Sequence, residues 1–373
     1  VLNHYVHMGK TDKDFFKIFC VHFCFYAILD LTNYESRTNI IEPSKIITFP
    51  RGTKSTIAET INSLAKAAIN LADAVSYGNL KYDLSKRVGK NNDGDHQKAL
   101  DVFADENFML ALRNTAVRWY ASEEQSDIVE INRNGSLILA IDPLDGSSNI
   151  NANISVGTIF SLKSAKNVVS KQCAEEVLLS PGENQLAAGY IIYGPQTTIV
   201  LTLGEGVCEY IFDKSKRCFV LGRSDIRIPL DTEEYSINTS NSRFWSDSIQ
   251  SYIDDLNLGT EGPLKKNFNM RWVASLVAEA NRILNRGGVF LYPADKRNGY
   301  ENGRLRMVYE CSPIAFIIVQ AGGGATDTKS EILSLRATQL HGRIPFVFGS
   351  LNEVNRVKFY HGQKNKKTVL THK

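Results

Sequence analysis

Apolar residues recur at Ile57, Ile61, Leu64, Ala68, Leu71 and Val75. Spacings of four and three put them on one stripe of a helix that starts near Ser55. After a turn at Asn91-Asn92-Asp93-Gly94-Asp95, a second helical stretch is predicted to reach Tyr120. Runs at 137–141, 156–160, 186–193, 197–203, 206–212 and 218–221 are short, apolar and separated by turn residues, and they predict successive strands. From Tyr235 the helical period returns over 244–256 and 272–285, the latter stopped by Gly287-Gly288. Buried strands are predicted at 289–292 and 346–349. Ser312-Pro313 predicts a helix through Ala321, with Ser suited to cap and Pro to the first turn, and Gly322-Gly323-Gly324 stops it. Helices and strands mix in both halves without an internal repeat, which predicts a layered α/β architecture.

A chain of 373 residues has room for two domains or one large α/β unit. With 43% hydrophobic and 22% charged residues it reads as ordinary globular protein. The net charge of +3 is spread among interleaved acids and bases, so no nucleic-acid footprint is expected. Six scattered cysteines (Cys20, Cys24, Cys173, Cys208, Cys218, Cys311) form no CxxC pair, which predicts reduced thiols and a cytoplasmic protein. Cys20 and Cys24 lack the second ligand pair of a zinc site. The apolar run 15–31 is interrupted by Lys17, His22 and Asp30, so it predicts no membrane span, and no Ala-x-Ala-like site follows it. Residues 1–54 are expected to be a loosely attached extension or translated sequence upstream of the true start.

The strongest chemical signal is Asp142-Pro143-Leu144-Asp145-Gly146-Ser147-Ser148-Asn149-Ile150, which breaks the run 137–141. Paired carboxylates at a strand end suit hard cations such as Mg²⁺ or Mn²⁺. A Gly-Ser-Ser turn that opens a helix offers N–H groups to a phosphate. Metal and phosphate subsites in one nonapeptide point to metal-dependent phosphate-ester hydrolysis. Such chemistry needs further carboxylates from other elements, and Asp95, Glu123-Glu124 and Glu310 stand at element ends. Taken singly, each fits a solvated surface carboxylate or a helix cap better than a functional role. Glu310 stands apart because it lies between an apolar strand-like segment and an apolar helix, where a lone charge is costly. Arg271, Arg304 and Arg306 fit bidentate phosphate contacts or plain salt bridges.

These motifs resemble class I fructose-1,6-bisphosphatase, of the inositol-phosphatase-like superfamily, from about Ser55 to His361. The resemblance rests on an ordered series: Gly94-Asp95 and Leu100-Asp101-Val102, Ser122-Glu123-Glu124, Asp142 to Ile150, Ser155 to Phe160, Ala188-Gly189-Tyr190, Tyr235 to Asn238, Phe290 to Ala294, Gly303-Arg304-Leu305-Arg306, Tyr309-Glu310-Cys311 and Gln320 to Gly323. Asn298-Gly299-Tyr300 looks like the alphaproteobacterial form. The resemblance implies a layered α/β/α/β/α fold with two sheet-containing subdomains: a metal-binding and regulatory part over 55–230, a sugar-phosphate part over 231–362, and a tail from 363. It implies hydrolysis of D-fructose 1,6-bisphosphate by a homotetramer with two or more Mg²⁺ per subunit (or Mn²⁺), in gluconeogenesis or a reductive pentose phosphate cycle. It places Glu123, Asp142, Asp145, Glu310 and the Leu144 carbonyl on the metals. Asp95, Asp101 and Glu124 would orient and deprotonate the attacking water, Asp95 also serving a further metal position. Gly146, Ser147 and Ser148 would cradle the 1-phosphate. Asn238, Asn241, Tyr292 and a neighbouring subunit's Arg271 would face the 6-phosphate, and Arg304 the sugar.

Some positions depart from the family pattern. Asn151 stands where Asp is usual, and Asn241 and Trp272 replace two tyrosines of the 6-phosphate pocket. Ser136, Leu137 and Ser164 replace the Lys-Tyr and arginine of AMP-inhibited members, so AMP inhibition through that site is expected to be weak or absent. Cys173 stands alone where the light-regulated chloroplast form carries a cysteine-bearing insertion. Competing readings are a dual enzyme also acting on sedoheptulose 1,7-bisphosphate, an inositol-monophosphatase-type activity, and a catalytically silent regulatory paralogue.

Overall fold

Eight strands form the larger sheet of the computed structural model, which describes residues 46–78, 87–90 and 96–370 within the compact unit Lys45–Lys373. The run 15–31, Cys20, Cys24 and the turn 91–95 with Asp95 lie outside the described residues. In order across the sheet the strands are Cys218–Arg223, Cys208–Asp213, Thr197–Thr202, Ala187–Tyr193, Val156–Ser164, Leu137–Asp145, Val117–Ser122 and Val129–Glu130. Every neighbouring pair is antiparallel except Val117–Ser122 with Leu137–Asp145, which run parallel.

The helices Ser55–Tyr77 and Ala99–Leu112 cover one face of this sheet. The predicted stripe is buried at Ile57, Ile61, Leu64, Ala68 and Leu71, against a core that includes Phe108, Tyr120, Leu139 and Ile191. The other face meets the helices Leu276–Arg286 and Ser312–Gln320. Those helices pack in turn on a five-stranded sheet ordered Asn269–Met270, Glu234–Ser236, Val289–Tyr292, Phe346–Gly349 and Gly324–Thr326. Alternation along these strands sends Phe290, Phe346 and Phe348 inward. Val289, Leu291 and Val347 point the other way, onto the helices Asp247–Asn257 and Leu351–Leu370. Helix, sheet, helix, sheet and helix layers result, as expected. Both faces of the large sheet are covered, which is why Leu137–Asp145 is buried at every position rather than alternating.

Two elements differ from the pattern reading. The helix expected to reach Tyr120 ends at Leu112, because Val117, Trp119 and Tyr120 pair with the parallel strand instead. Glu310 does not follow a strand; only Leu305–Arg306 is extended, and Met307–Cys311 forms a π-helical turn that runs directly into the next helix. Ser312 therefore continues a helix already begun and caps nothing.

Candidate active site

The parallel pair aligns Ser122 with Ile141, and the Glu123 N–H donates to the Ile141 carbonyl at 3.0 Å. Glu123 thus leaves its strand beside Asp142, at the carboxyl ends of both strands, where α/β sheets place ligands. In an unbroken strand residues three apart would face opposite ways. Here the register shifts between Asp142 and Asp145, a bulge that re-aims the side chains. Leu144, buried in that bulge, donates its N–H to Asp142 Oδ1 at 3.0 Å, and Thr158 Oγ1 donates to the Pro143 carbonyl at 2.8 Å. Glu310 arrives from the π-helical turn, an irregularity that recurs at functional sites. One oxygen each from Glu123, Asp142 and Glu310 lie within 4.8 Å of one another.

Asp145 joins them under a different restraint. Its Oδ2 accepts from the Val277 N–H at 2.9 Å and from Ser275 Oγ at 3.1 Å, at the N-terminus of Leu276–Arg286. The exposed N–H groups and dipole of a helix start favour a carboxylate there. Gly157 permits this seam, since a Cβ would lie 2.5 Å from Val277 Cγ2 and 2.4 Å from the Ile191 carbonyl.

Burial drives the electrostatics. It pushes Asp142 well above the usual carboxylate range, helped by Glu123, Asp145 and Glu310. Glu310 is raised to about 8 by burial and by Glu123, with Arg306 opposing. Asp145 is raised to about 6 by burial, against the Val277 and Ser275 donors. Burial also raises Glu123, which Arg306 counteracts. Arg306 Nη1 lies 2.6 Å from Glu123 Oε1, and its backbone N–H donates to Glu310 Oε2 at 2.5 Å. Among the described residues, the Arg306 guanidinium is left to offset the half-buried Glu123 and the buried Asp142, Asp145 and Glu310, and Glu123 Oε2 is itself buried with no hydrogen-bond partner. An all-oxygen, acidic set of this kind fits hard divalent cations. Asp101, buried in the first turn of Ala99–Leu112, adds its charge to Glu123. The half-buried Glu124 adds its own to Asp142.

Gly146 follows with φ +75°, in the left-handed region that favours glycine, and leads into the 3₁₀ turn Ser147–Ala152. Ser147 is half-buried, while Ser148 and Asn151 are exposed. In the second sheet's half, a cleft is lined by residues that include Asn238, Asn241, Trp272, Tyr292 and Asp295. Trp272 stacks on Phe290 at 5.9 Å and lies 6.2 Å from Tyr292. Arg304 is half-buried, with its guanidinium over Tyr300. Arg271 does not line the cleft; it is exposed, 3.6 Å from Glu234, which also holds Arg282 and Arg286.

Ser275, Val277, Arg306 as a partner of Glu123, and Asp295 were not singled out from sequence for these positions. Nor was buried Asp105, which accepts from Tyr120 at 2.7 Å and from Gln125 at 2.5 Å and so ties the loop after Glu124 to the Asp101 helix. A serine ahead of an apolar helical run is a readable cap signal. That this serine serves a carboxylate 130 residues away is not.

Comparison with known proteins agrees with this geometry. Residues 40–224 match the family described as fructose-1-6-bisphosphatase, N-terminal domain, and residues 228–362 match its C-terminal domain. The chain is 50% identical over 321 residues to a class 1 fructose-1,6-bisphosphatase of Cereibacter sphaeroides, covering 86% of this chain and 95% of that protein. It is 52% identical over 305 residues to one from a Bradyrhizobium species, covering 82% and 88%. Among solved structures it is similar to Leishmania major fructose-1,6-bisphosphatase in holo form, with a TM-score of 0.79 and 32% identity over 84% of this chain and 96% of that one. A bulged Asp-Asp strand end, a π-helical glutamate and two matched domains thus meet in one molecule, and the chain belongs to the class 1 fructose-1,6-bisphosphatase family.

Proposed function

We propose that this chain hydrolyses D-fructose 1,6-bisphosphate to fructose 6-phosphate and phosphate, with Mg²⁺ as the working cation and Mn²⁺ able to replace it. The observation that carries the reading is the gathering of Glu123, Asp142 and Glu310 beside Asp145, with Arg306 as their cation among the described residues. Glu123, Asp142, Asp145, Glu310 and the Leu144 carbonyl hold the ions. When bound, divalent ions lower the pKa of water and offset charge on a phosphate ester. Asp101, Glu124 and Asp95 orient the attacking water and take its proton. The N–H groups of Gly146, Ser147 and Ser148 cradle the 1-phosphate. Asn238, Asn241 and Tyr292 grip the 6-phosphate, and Arg304 meets the sugar. Arg271 turns toward Glu234 rather than into its own cleft, which supports its use at a neighbouring subunit's cleft in a cytoplasmic homotetramer. On this reading the metal side belongs to 55–230 and the sugar-phosphate side to 231–362.

Phosphate release from fructose 1,6-bisphosphate, measured with Mg²⁺ and after chelation, tests the reading. Turnover with Mg²⁺, its loss on chelation and its return with Mg²⁺ or Mn²⁺ are expected. Metal-independent release, or an untouched substrate, would refute it. Sedoheptulose 1,7-bisphosphate in parallel separates the dual enzyme from the single one.

A further inference from the structure

At the edge of the sugar-phosphate cleft, the segment 295–303 is folded on itself. Asp295, which lines the cleft and is 9% exposed, binds the Arg297 guanidinium through both carboxylate oxygens, at 2.5–3.0 Å. The Asp295 N–H donates to the Tyr300 carbonyl at 3.2 Å, and the Tyr300 N–H donates to the Arg297 carbonyl at 3.0 Å. Gly303 closes the segment with φ +80°, where a Cβ would stand 2.5 Å from the Ile344 carbonyl. Arg297, fixed at its carboxylate, lays its guanidinium 3.9 Å from the centre of the Tyr300 ring. Arg304 places its own guanidinium 5.4 Å from the same ring. Both arginines also act electrostatically on Tyr292 in the cleft wall. A planar guanidinium on an aromatic face is held in orientation as well as attracted.

We propose that Tyr300 is a positioning residue whose ring, itself held by Arg297, presents Arg304 to the substrate in the cleft. This rests on the reading above, in which Arg304 meets the sugar of a bound bisphosphate. The ring face, not the hydroxyl, does the positioning.

Steady-state kinetics of the Mg²⁺-loaded enzyme on fructose 1,6-bisphosphate test it with Tyr300→Leu, Tyr300→Phe, Arg304→Ala and the Tyr300→Leu/Arg304→Ala double variant. Tyr300→Leu, which keeps bulk but loses the ring, is expected to raise KM about 5-fold with kcat held within about 2-fold, the scale of one partly exposed cation–π contact. Tyr300→Phe is expected to retain the parent KM. The double variant is expected to be no worse than Arg304→Ala alone, because the ring then has nothing to hold. Additive losses in the double variant, a Phe variant as poor as Leu, or a Leu variant with a lowered Tm and an unchanged KM would each overturn the proposal. An unchanged KM in Arg304→Ala would instead remove Arg304 from the substrate, sinking that part of the functional reading and the positioning role with it.

Discussion

Two neighbouring strands of the large sheet bury charge in opposite ways. Lys163, on Val156–Ser164 and only 5% exposed, sits opposite Ile138 of the strand that ends in Asp142 and Asp145. Its ammonium lies 2.8–3.3 Å from the carbonyls of Val177, Leu178, Ser180 and Pro181, and 3.1 Å from Ser180 Oγ. Those carbonyls close the helix Lys171–Leu178, where a cation is favoured. Burial and Arg336 pull the amine down to about 8, so it remains charged at neutral pH. At the other strand's end the carboxylates face one another, with Arg306 their cation among the described residues. A buried charge that serves structure is matched from within the chain; a buried charge that serves chemistry is left to be matched by a ligand.

Replacing members of each set should break this contrast, most strongly on the acidic side. Asp142→Asn is expected to lower kcat on the order of 10³-fold or more, while the metal-free protein unfolds at the same or a higher temperature, since a like-charge repulsion is gone. A large loss of Tm would show that Asp142 serves the fold instead. Lys163→Met should do the reverse, costing about 2–3 kcal/mol of stability through unmatched buried carbonyls while the folded enzyme keeps its kcat. Chemical denaturation beside kinetics separates the two.

The pH dependence of the metal-free protein sharpens the comparison. Asp145 and Glu310 rise from ordinary values of 3.8 and 4.5 to about 6 and about 8. The folded state therefore keeps protons that the unfolded chain has released, and stability should fall as pH climbs from about 4 to about 8. Excess Mg²⁺ should abolish that decline, and Glu310→Gln should flatten its upper part; thermal melts in chelator and in Mg²⁺ would reveal either failure. Ser275→Ala removes both a helix cap and a donor to Asp145. About 1 kcal/mol of stability and roughly 10-fold in Mg²⁺ affinity should be lost, readable by metal titration. The smallest expected effect concerns AMP. Leu137 and Ser164 pair across the sheet where inhibited relatives are expected to carry a tyrosine and an arginine. Micromolar AMP should leave the rate unchanged, and inhibition at that concentration that is abolished by blocking this pocket would contradict it.

How much was legible follows from how local each signal is. The helix Ser55–Tyr77 and the strand Leu137–Asp145 were readable because periodicity is a property of adjacent residues. The nonapeptide 142–150 pointed to the acidic cluster because its two carboxylates end a readable apolar run. The helix was expected beyond Leu112 because the strand that follows exists only through partners elsewhere in the chain. The strand assigned before Glu310 was misread because apolar continuity does not distinguish an extended run from a π-helical turn.

By itself the chain's order of residues determined a layered α/β architecture and most of its elements, which follow from turn-length periodicities, and the family, which rests on contiguous motifs. Only the tertiary structure decided how Glu123, Asp142, Asp145 and Glu310 come together, which arginine offsets them and which serine anchors Asp145. Those depend on burial and on partners brought from far along the chain, and a carboxylate's charge is set by what surrounds it in space.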